Sequence, residues 1–207
     1  MHRIITISRE FGSGGRELGK RLAEALGIAY FDKEIIKAVA EHSGLAEQYV
    51  ESISEKSVSF YYPISYNTTF AGIQPLVGEH TDVIAKQNEI IREMAEKSDA
   101  VFIGRAADIV LEDYKPLRIF VYADMDSKVA RCLARESDAE DYTPKEMEKQ
   151  IKKIDKGRAN FREMITGNKF GSKDDYDLMI NTSGLDIAKL IPAVVAYADC
   201  YFDAQKK

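Results

Sequence analysis

The stretch that decides the fold is IITISREFGSGGR, residues 4–16. It joins a short run of β-branched residues to a glycine turn, Gly12-Ser13-Gly14-Gly15. Beyond the turn, an apolar face at helical spacing predicts a helix that Gly27 ends. That face is formed by Leu18, Leu22, Ala25 and Leu26. With a second strand predicted directly after Gly27, the first 31 residues form a βαβ start, which is typical of an α/β fold.

The composition of the turn suits an anion. Glycine permits backbone angles that let successive N–H groups converge on phosphate oxygens, and the start of the following helix adds a partial positive charge. Such a turn also occurs as a plain connection between a strand and a helix. Its place after the first strand and before an amphipathic helix favours the phosphate-binding interpretation. We therefore predict that Gly12, Ser13, Gly14 and Gly15 hold the phosphates of a nucleoside triphosphate.

The turn departs from the standard pattern Gly-x-x-x-x-Gly-Lys-Ser/Thr. A literal match that begins at Gly14 places Lys20 inside the periodic helix, so we reject that register. Alignment of the helix itself puts Gly15 at the lysine position and Glu17 where a magnesium-binding hydroxyl would be. Arg16 is then the predicted substitute cation, because a guanidinium can chelate two phosphate oxygens. The metal ligands are left unassigned.

Short apolar runs alternate with longer helical segments along the rest of the chain, which predicts a parallel sheet covered by helices. The five predicted strands are Ile4–Ser8, Ile28–Phe31, Ala100–Gly104, Arg118–Tyr122 and Leu178–Asn181. The predicted helices after the first are Lys33–His42, Thr81–Lys97, Ser127–Glu136, Pro144–Ile165 and Asp186–Phe202. The segment Ser57–Gly78 has aromatic residues, two prolines and little periodicity, and is predicted to be a long loop or flap.

Length and composition limit the possible functions. The 207 residues, 45% of them hydrophobic, suit one domain over 1–207. A net charge of -5 argues against binding to polymeric nucleic acid. Without a long apolar run or a signal-like start, we expect no membrane span and a cytoplasmic location. Cys132 and Cys200 lack the spacing of metal ligands and are expected to be buried, reduced thiols.

Several charged residues are placed to bind phosphates, and phosphoryl transfer needs converging positive charge. Arg105 follows the third strand at its carboxyl end and is predicted to hold an acceptor phosphate, the alternative being an ion pair with Asp108. Asp32 ends the second strand, where it orients the acceptor or a metal-bound water, or caps the next helix. Asp155 either holds Arg158 or contacts the acceptor.

Two arginine pairs recur at a spacing of four, which places each pair on one helix face. They are Arg131 with Arg135 and Arg158 with Arg162. We predict that they face the transferred phosphoryl group from a lid, the alternative being a solvated charged face, with Arg162 paired to a nearby glutamate. The segment 181–184 is predicted to be a turn with ordinary helix-capping residues, in preference to a wall near adenine.

These residues together resemble the cytidylate kinase-like family, a divergent branch of the nucleoside monophosphate kinases. The likeness covers most of the chain and rests on residues 5–16, 30–33, 103–108, 155–158 and 176–183, together with Arg131 and Arg135. It implies a P-loop NTPase-type three-layer fold with a five-stranded parallel sheet, an acceptor-binding region at about 32–98 and a helical lid at about 131–170. It also implies transfer of the γ-phosphoryl of ATP, with Mg²⁺, to a nucleoside monophosphate such as CMP or dCMP. Asp108, Asp155 and Arg162 are included among the predicted acceptor-binding residues.

Two other functions stay open. The missing lysine suits a nucleotide-binding regulatory protein with weak or no kinase activity, whereas arginines on both sides of the transferred group favour a kinase. A kinase for another small metabolite is the third possibility. The aromatic segment at 60–70 would then shape a different acceptor pocket, or it would cover a homodimer contact.

Overall fold

The computed structural model describes residues 2–44, 46–47, 74–135 and 142–206, and gives the backbone alone for 74–81 and 135. The strands in this part of the chain are β1 (Ile4–Arg9), β2 (Ala29–Phe31), β3 (Ala100–Ile103), β4 (Leu117–Tyr122) and β5 (Leu178–Asn181). The α-helices in the same residues are α1 (Gly15–Leu26), α2 (Lys33–Ser43), α3 (Gln74–Lys97), α4 (Ala107–Val110), α5 (Met125–Arg135), α6 (Pro144–Thr166) and α7 (Ile187–Ala204).

The strands form one parallel sheet in the order β2-β3-β1-β4-β5. This confirms the predicted α/β class and the five-stranded parallel sheet. Because every strand runs the same way, the carboxyl ends of β1, β3 and β4 meet at one edge. That edge is where open α/β sheets place their ligands.

Alternation along β1 distributes its side chains between two apolar layers. Ile4 packs with the helices α2, α3 and α4 on one face of the sheet. Ile5 and Ile7 point to the other face, where Leu18 and Leu22 of α1 and the apolar side of α7 cover them. The molecule is therefore three layers thick, with helices on both faces of a buried sheet.

Local sequence sets most helix ends. Thr143 and Glu146 form a capping box at the start of α6, with Pro144 in its first turn. Gly27 ends α1 in a left-handed conformation, as predicted.

The prediction of a loop over Ser57–Gly78 is wrong at its end, because α3 begins at Gln74. Pro75 is compatible with this start, since the first turn of a helix needs no N–H donor at that position. Residues 57–73 lie outside the described residues. The short helix α4 was not predicted, because one turn is too short to show a helical period.

Candidate functional site

The glycine turn lies where β1 ends and α1 begins. Gly12 and Gly14 have positive φ angles of 74° and 83°, in the left-handed region that glycine tolerates. Gly14 is the N-cap of α1, so the N–H groups of the first helical turn face the same space as the loop amides. This backbone forms an anion-binding concavity of the kind predicted from the sequence.

The surroundings of Gly12 and Gly14 leave no room for a Cβ at either position. A Cβ on Gly12 would lie 2.9 Å from both Cys132 Sγ and the carbonyl oxygen of Lys128. A Cβ on Gly14 would lie 2.8 Å from a methyl carbon of Ile187. The loop is therefore enclosed by α5 on one side and by the start of α7 on another.

Hydrogen bonds fix the loop from three directions. Asp155 accepts from the N–H of Phe11 at 2.6 Å, and Thr182 Oγ1 donates to the carbonyl of Ser13 at 2.7 Å. Ser13 Oγ donates to the carbonyl of Glu10 at 2.8 Å. A loop held in this way keeps its amides in place before a ligand arrives, which lowers the cost of binding.

A pocket opens over this loop, and four arginines are among its walls. They are Arg9, Arg16, Arg131 and Arg158. We call it the phosphate pocket. Arg158 also donates to the carbonyl of Arg9 at 3.2 Å and lies 5.7 Å from the ring of Phe11. The predicted cation Arg158 is thus beside the loop, whereas Arg9 was not predicted.

Arg16, the predicted substitute cation, reaches the edge of the phosphate pocket but is bound to Asp32, with Nε 2.8 Å from Oδ2. Asp32 stands at the N-cap of α2 without making the capping bond that was the alternative. Burial and the Asp32 carboxylate raise the pKa of Tyr30 to about 12, so this phenol stays protonated. Glu17, which is predicted to contribute to the nucleotide site at the position of the magnesium-binding hydroxyl, accepts from Arg21 at 3.0 Å on the surface of α1.

A second pocket adjoins the first and shares Arg9 and Arg158 with it. Arg105 and the rings of Phe161 and Phe170 complete much of its wall, and we call it the arginine pocket. Among the described residues that line it, none is acidic. Four buried arginines line this one cavity, Arg9, Arg105, Arg158 and Arg162, and such a concentration of positive charge suits an anionic ligand.

Arg105 reaches this cavity through a strained turn. Gly104, Arg105 and Ala106 all have positive φ angles, of 69°, 60° and 50°. For residues with a Cβ this conformation costs about 1–3 kcal/mol each, and it is found mostly at functional sites. The turn places Arg105 in the pocket wall, and its binding to an acceptor phosphate stays a prediction.

Arg162 lies at the base of the arginine pocket in a buried ion-pair network. It donates to Asp108 and, at 3.2 Å, to Asp175, and it lies 5.6 Å from the ring of Tyr176. Asp108 is thus held by Arg162, whereas an ion pair with Arg105 had been the alternative. Within the described residues the ion-pair partners of Arg162 are therefore aspartates and not Glu163, while Glu136 lies outside the described residues. The pair joins α4 to α6 beneath the cavity.

Lys128 was missed from the sequence. Its side chain is 6% exposed and lies 3.1 Å from Glu10 Oε2 and 2.8 Å from Asp155 Oδ2. Burial alone would lower the pKa of Lys128, but hydrogen bonds with Asp155 and Glu10 raise it above the ordinary lysine value. Asp155 therefore joins the loop amide of Phe11 to Lys128, a role that neither prediction for it included. The sequence did offer a signal for Lys128, because it lies three residues before Arg131 and therefore on the same helix face.

Arg131 lines the phosphate pocket and holds the turn after β5. It donates to the carbonyls of Thr182 and Leu185, the second at 3.2 Å. Asn181 ends β5, and the residues that follow it up to Gly184 form the predicted turn before α7. The predicted Ser or Thr cap is wrong, because Asp186 caps that helix by accepting from the N–H of Ala188. Thr182 instead donates its hydroxyl to the carbonyl of Ser13 in the glycine loop.

Two predictions fall outside the described part of the chain. The side chain of Arg135 is not among the described atoms, although its backbone ends α5. The aromatic segment 60–70 also lies outside the described residues. Within the described residues, no three His, Cys, Asp or Glu side chains converge as a metal site, and no helix has the length and apolar character that a membrane span needs.

The family model of the cytidylate kinase-like family matches residues 4–184. The chain belongs to this family. A crystal structure of an uncharacterized protein from Eubacterium ventriosum is 27% identical, with a TM-score of 0.69, covering 96% of this chain and 99% of that one. No curated protein matches the chain.

Two more distant structures resemble this cytidylate kinase-like protein in fold. A shikimate kinase from Bacteroides thetaiotaomicron is 15% identical with a TM-score of 0.56, covering 97% of this chain and 98% of that one. A sugar kinase from Janibacter is 10% identical with a TM-score of 0.51, covering 96% and 95%. The fold is thus the P-loop NTPase fold, and family membership supports a small-molecule kinase.

Proposed function

We propose that the protein transfers the γ-phosphoryl group of ATP to a nucleoside monophosphate, with CMP and dCMP as the first acceptors to test. The observation that supports this most is the pair of adjoining pockets that share Arg9 and Arg158. A phosphoryl donor over the glycine loop and an anionic acceptor beside Arg105 would meet at these two arginines. Transfer of a phosphoryl group between anions needs this positioning and charge neutralisation above all.

Each part of the site has a role in this proposal. Amides of the glycine loop and of the first turn of α1 hold the triphosphate, and Arg131 and Arg158 neutralise charge around the transferred group. Arg105 orients the acceptor phosphate. Mg²⁺ would supply further neutralisation of the phosphate charge at this site.

A coupled assay of ADP release across a panel of monophosphates and other small phosphate acceptors tests the proposal. We expect release that depends on an acceptor. Arg105→Ala should lower kcat/KM by about tenfold to a hundredfold, since hydrogen bonds to charged groups contribute about 1.5–3 kcal/mol. Arg92→Ala removes the same charge from the exposed face of α3 and should change kcat/KM by less than about twofold.

The second candidate is a nucleotide-binding regulatory protein. The contact of Arg16 with Asp32 and the absence of a lysine at Gly15 favour it. Acceptor-dependent turnover by the parent protein would favour the kinase, and its loss in Arg16→Ala would show that the kinase uses Arg16. Tight binding of ATP without turnover on any acceptor would contradict the kinase and support the regulator.

A further inference from the structure

Compared with the standard phosphate-binding loop, this chain has a glycine and a cation at each other's positions. In the pattern Gly-x-x-x-x-Gly-Lys, a second glycine at Gly14 puts the first glycine at position 9 and the lysine at position 15. This chain has Arg9 at the glycine position and Gly15 at the lysine position. A cation is therefore lost at one position and gained at the other.

The two positions are in contact. A Cβ on Gly15 would lie 2.6 Å from Cβ and 3.1 Å from Cγ of Arg9, and 3.3 Å from Cβ of Val121. Gly15 is in the first turn of α1 and is not among the residues with a positive φ angle. The side chain of Arg9 therefore accounts for the glycine at position 15, because it fills the space in which a lysine there would begin.

The guanidinium of Arg9 packs against a second glycine, Gly104. A Cβ on Gly104 would collide with the guanidinium of Arg9, so the side chain runs from the end of β1 across Gly15 to the end of β3. It is 6% exposed along this path. Its backbone is fixed as well, since the carbonyl of Arg9 accepts from Arg158.

Arg9 reaches the place where a phosphoryl group would be transferred. It contributes to the walls of the phosphate pocket and of the arginine pocket, which adjoin. The lysine of the standard loop reaches the β- and γ-phosphates from the start of the helix. Arg9 approaches the same region from the end of the first strand.

The geometry points to Arg9 as the cation that replaces the loop lysine and contacts the terminal phosphates of the bound nucleotide. This inference rests on the proposed function, in that it requires a nucleoside triphosphate over the glycine loop. A guanidinium offers two parallel donors to phosphate oxygens where lysine offers a point charge. A lysine at position 15 then requires the removal of the Arg9 side chain, so substitutions at the two positions depend on each other.

Exchange of the two residues tests the inference. The full chain and its variants are titrated with ATP in the presence of MgCl₂ by calorimetry, and the melting temperature of each is recorded. Arg9→Met, which keeps an unbranched side chain on the same path, should weaken ATP binding at least about tenfold, the loss expected for one charged hydrogen-bonding group. Gly15→Lys alone should also weaken binding, because its side chain collides with Arg9.

The double variant Arg9→Gly, Gly15→Lys restores the standard spacing and should bind ATP more tightly than either Arg9→Met or Gly15→Lys. Arg21→Ala removes an exposed charge from α1 and should bind as the parent does. Binding by Arg9→Met within about twofold of the parent would overturn the inference while leaving the proposed function in place. Binding by the double variant no tighter than by Gly15→Lys would also overturn it. A parent protein that ignores ATP would instead overturn the proposed function.

Discussion

At the scale of the residue, Gly12 is constrained by both its backbone angle and its surroundings. Its φ angle is 74°, and a Cβ would meet Cys132 and the Lys128 carbonyl at 2.9 Å. Gly27 has a similar φ angle of 65°, but nothing lies within 4 Å of a Cβ there. The two glycines separate the cost of the backbone angle from the cost of the collision.

Gly12→Ala should therefore destabilise the protein more than Gly27→Ala does. The angle alone costs about 1–2 kcal/mol, which is the loss expected for Gly27→Ala in the free energy of unfolding. Overpacking adds about 1–3 kcal/mol for Gly12→Ala, measured by urea unfolding. Equal losses of stability in the two variants would show that Cys132 and the Lys128 carbonyl shift to accommodate a Cβ on Gly12 at little cost.

Lys128 stabilises the loop electrostatically by lying between two carboxylates. Lys128→Met leaves Glu10 and Asp155 without their shared cation, and we expect a loss of about 3 kcal/mol in the free energy of unfolding. The control Lys206→Met breaks an exposed pair with Asp203 and should cost less than about 1 kcal/mol. Similar losses would contradict the buried role of Lys128.

Comparison of the parent with Lys128→Met also predicts how the free energy of unfolding depends on pH. The folded pKa of Lys128 is raised, so its contribution to stability is fully present below the unfolded lysine value of about 10.4. The contribution disappears as pH rises through the folded pKa. The difference in stability between the parent and Lys128→Met should thus be constant from neutral pH to about 9 and shrink at higher pH. A difference that grows with alkaline pH would have the wrong sign.

At the scale of the element, the turn between β5 and α7 supports the glycine loop through Thr182. Its hydroxyl is buried and donates to the carbonyl of Ser13. Thr182→Val keeps the shape but leaves that carbonyl without this donor, which should cost about 1–3 kcal/mol of stability. ATP affinity should fall with it, because the loop amides lose a fixed position.

Thr182→Ser is the matched variant for this prediction. Serine keeps the hydroxyl and loses one methyl group, so ATP affinity measured by calorimetry should stay near that of the parent. If Thr182→Val binds ATP as well as Thr182→Ser does, the bond to Ser13 is not what orders the loop.

The elements themselves were largely predictable, because each depends on local pattern. Five apolar β-branched runs predicted five strands, and the glycine after α1 predicted its end. The start of α3 was not predictable in this way, since Pro75 and Gly78 are usually turn residues. Pro75 is tolerated because it falls in the first turn.

The contacts of the site were less predictable, because they join residues far apart in sequence. Asp155 binds Phe11 across 144 positions, and Arg162 binds Asp108 across 54. Charge and spacing identified these residues as candidates but did not specify their partners. Arg9 was not predicted as a site residue because the standard pattern places its cation at the start of the helix after the turn, whereas Arg9 ends the strand before the turn.

At the scale of the whole molecule, the two pockets make the site one continuous cleft along the carboxyl edge of the sheet. Its floor is the glycine loop and the strained turn after β3, and its walls come from α5 and α6. Cys132 of α5 lies in the wall of the phosphate pocket, and Cys200 is exposed on α7. Cys132 can therefore report whether a ligand occupies the phosphate pocket, and Cys200 can serve as a control on the exposed surface.

Occupancy of this cleft can be read from the reactivity of Cys132. In Cys200→Ser, saturating ATP with MgCl₂ should slow alkylation of Cys132 by at least about tenfold, because only the empty fraction reacts. In Cys132→Ser, the rate at Cys200 should not change with ATP, which controls for any effect of the nucleotide on the reagent. Mass spectrometry of quenched samples measures both rates. If ATP binds by calorimetry and leaves the Cys132 rate unchanged, the nucleotide occupies another site, because a triphosphate over Gly12 would cover the thiol that packs against it.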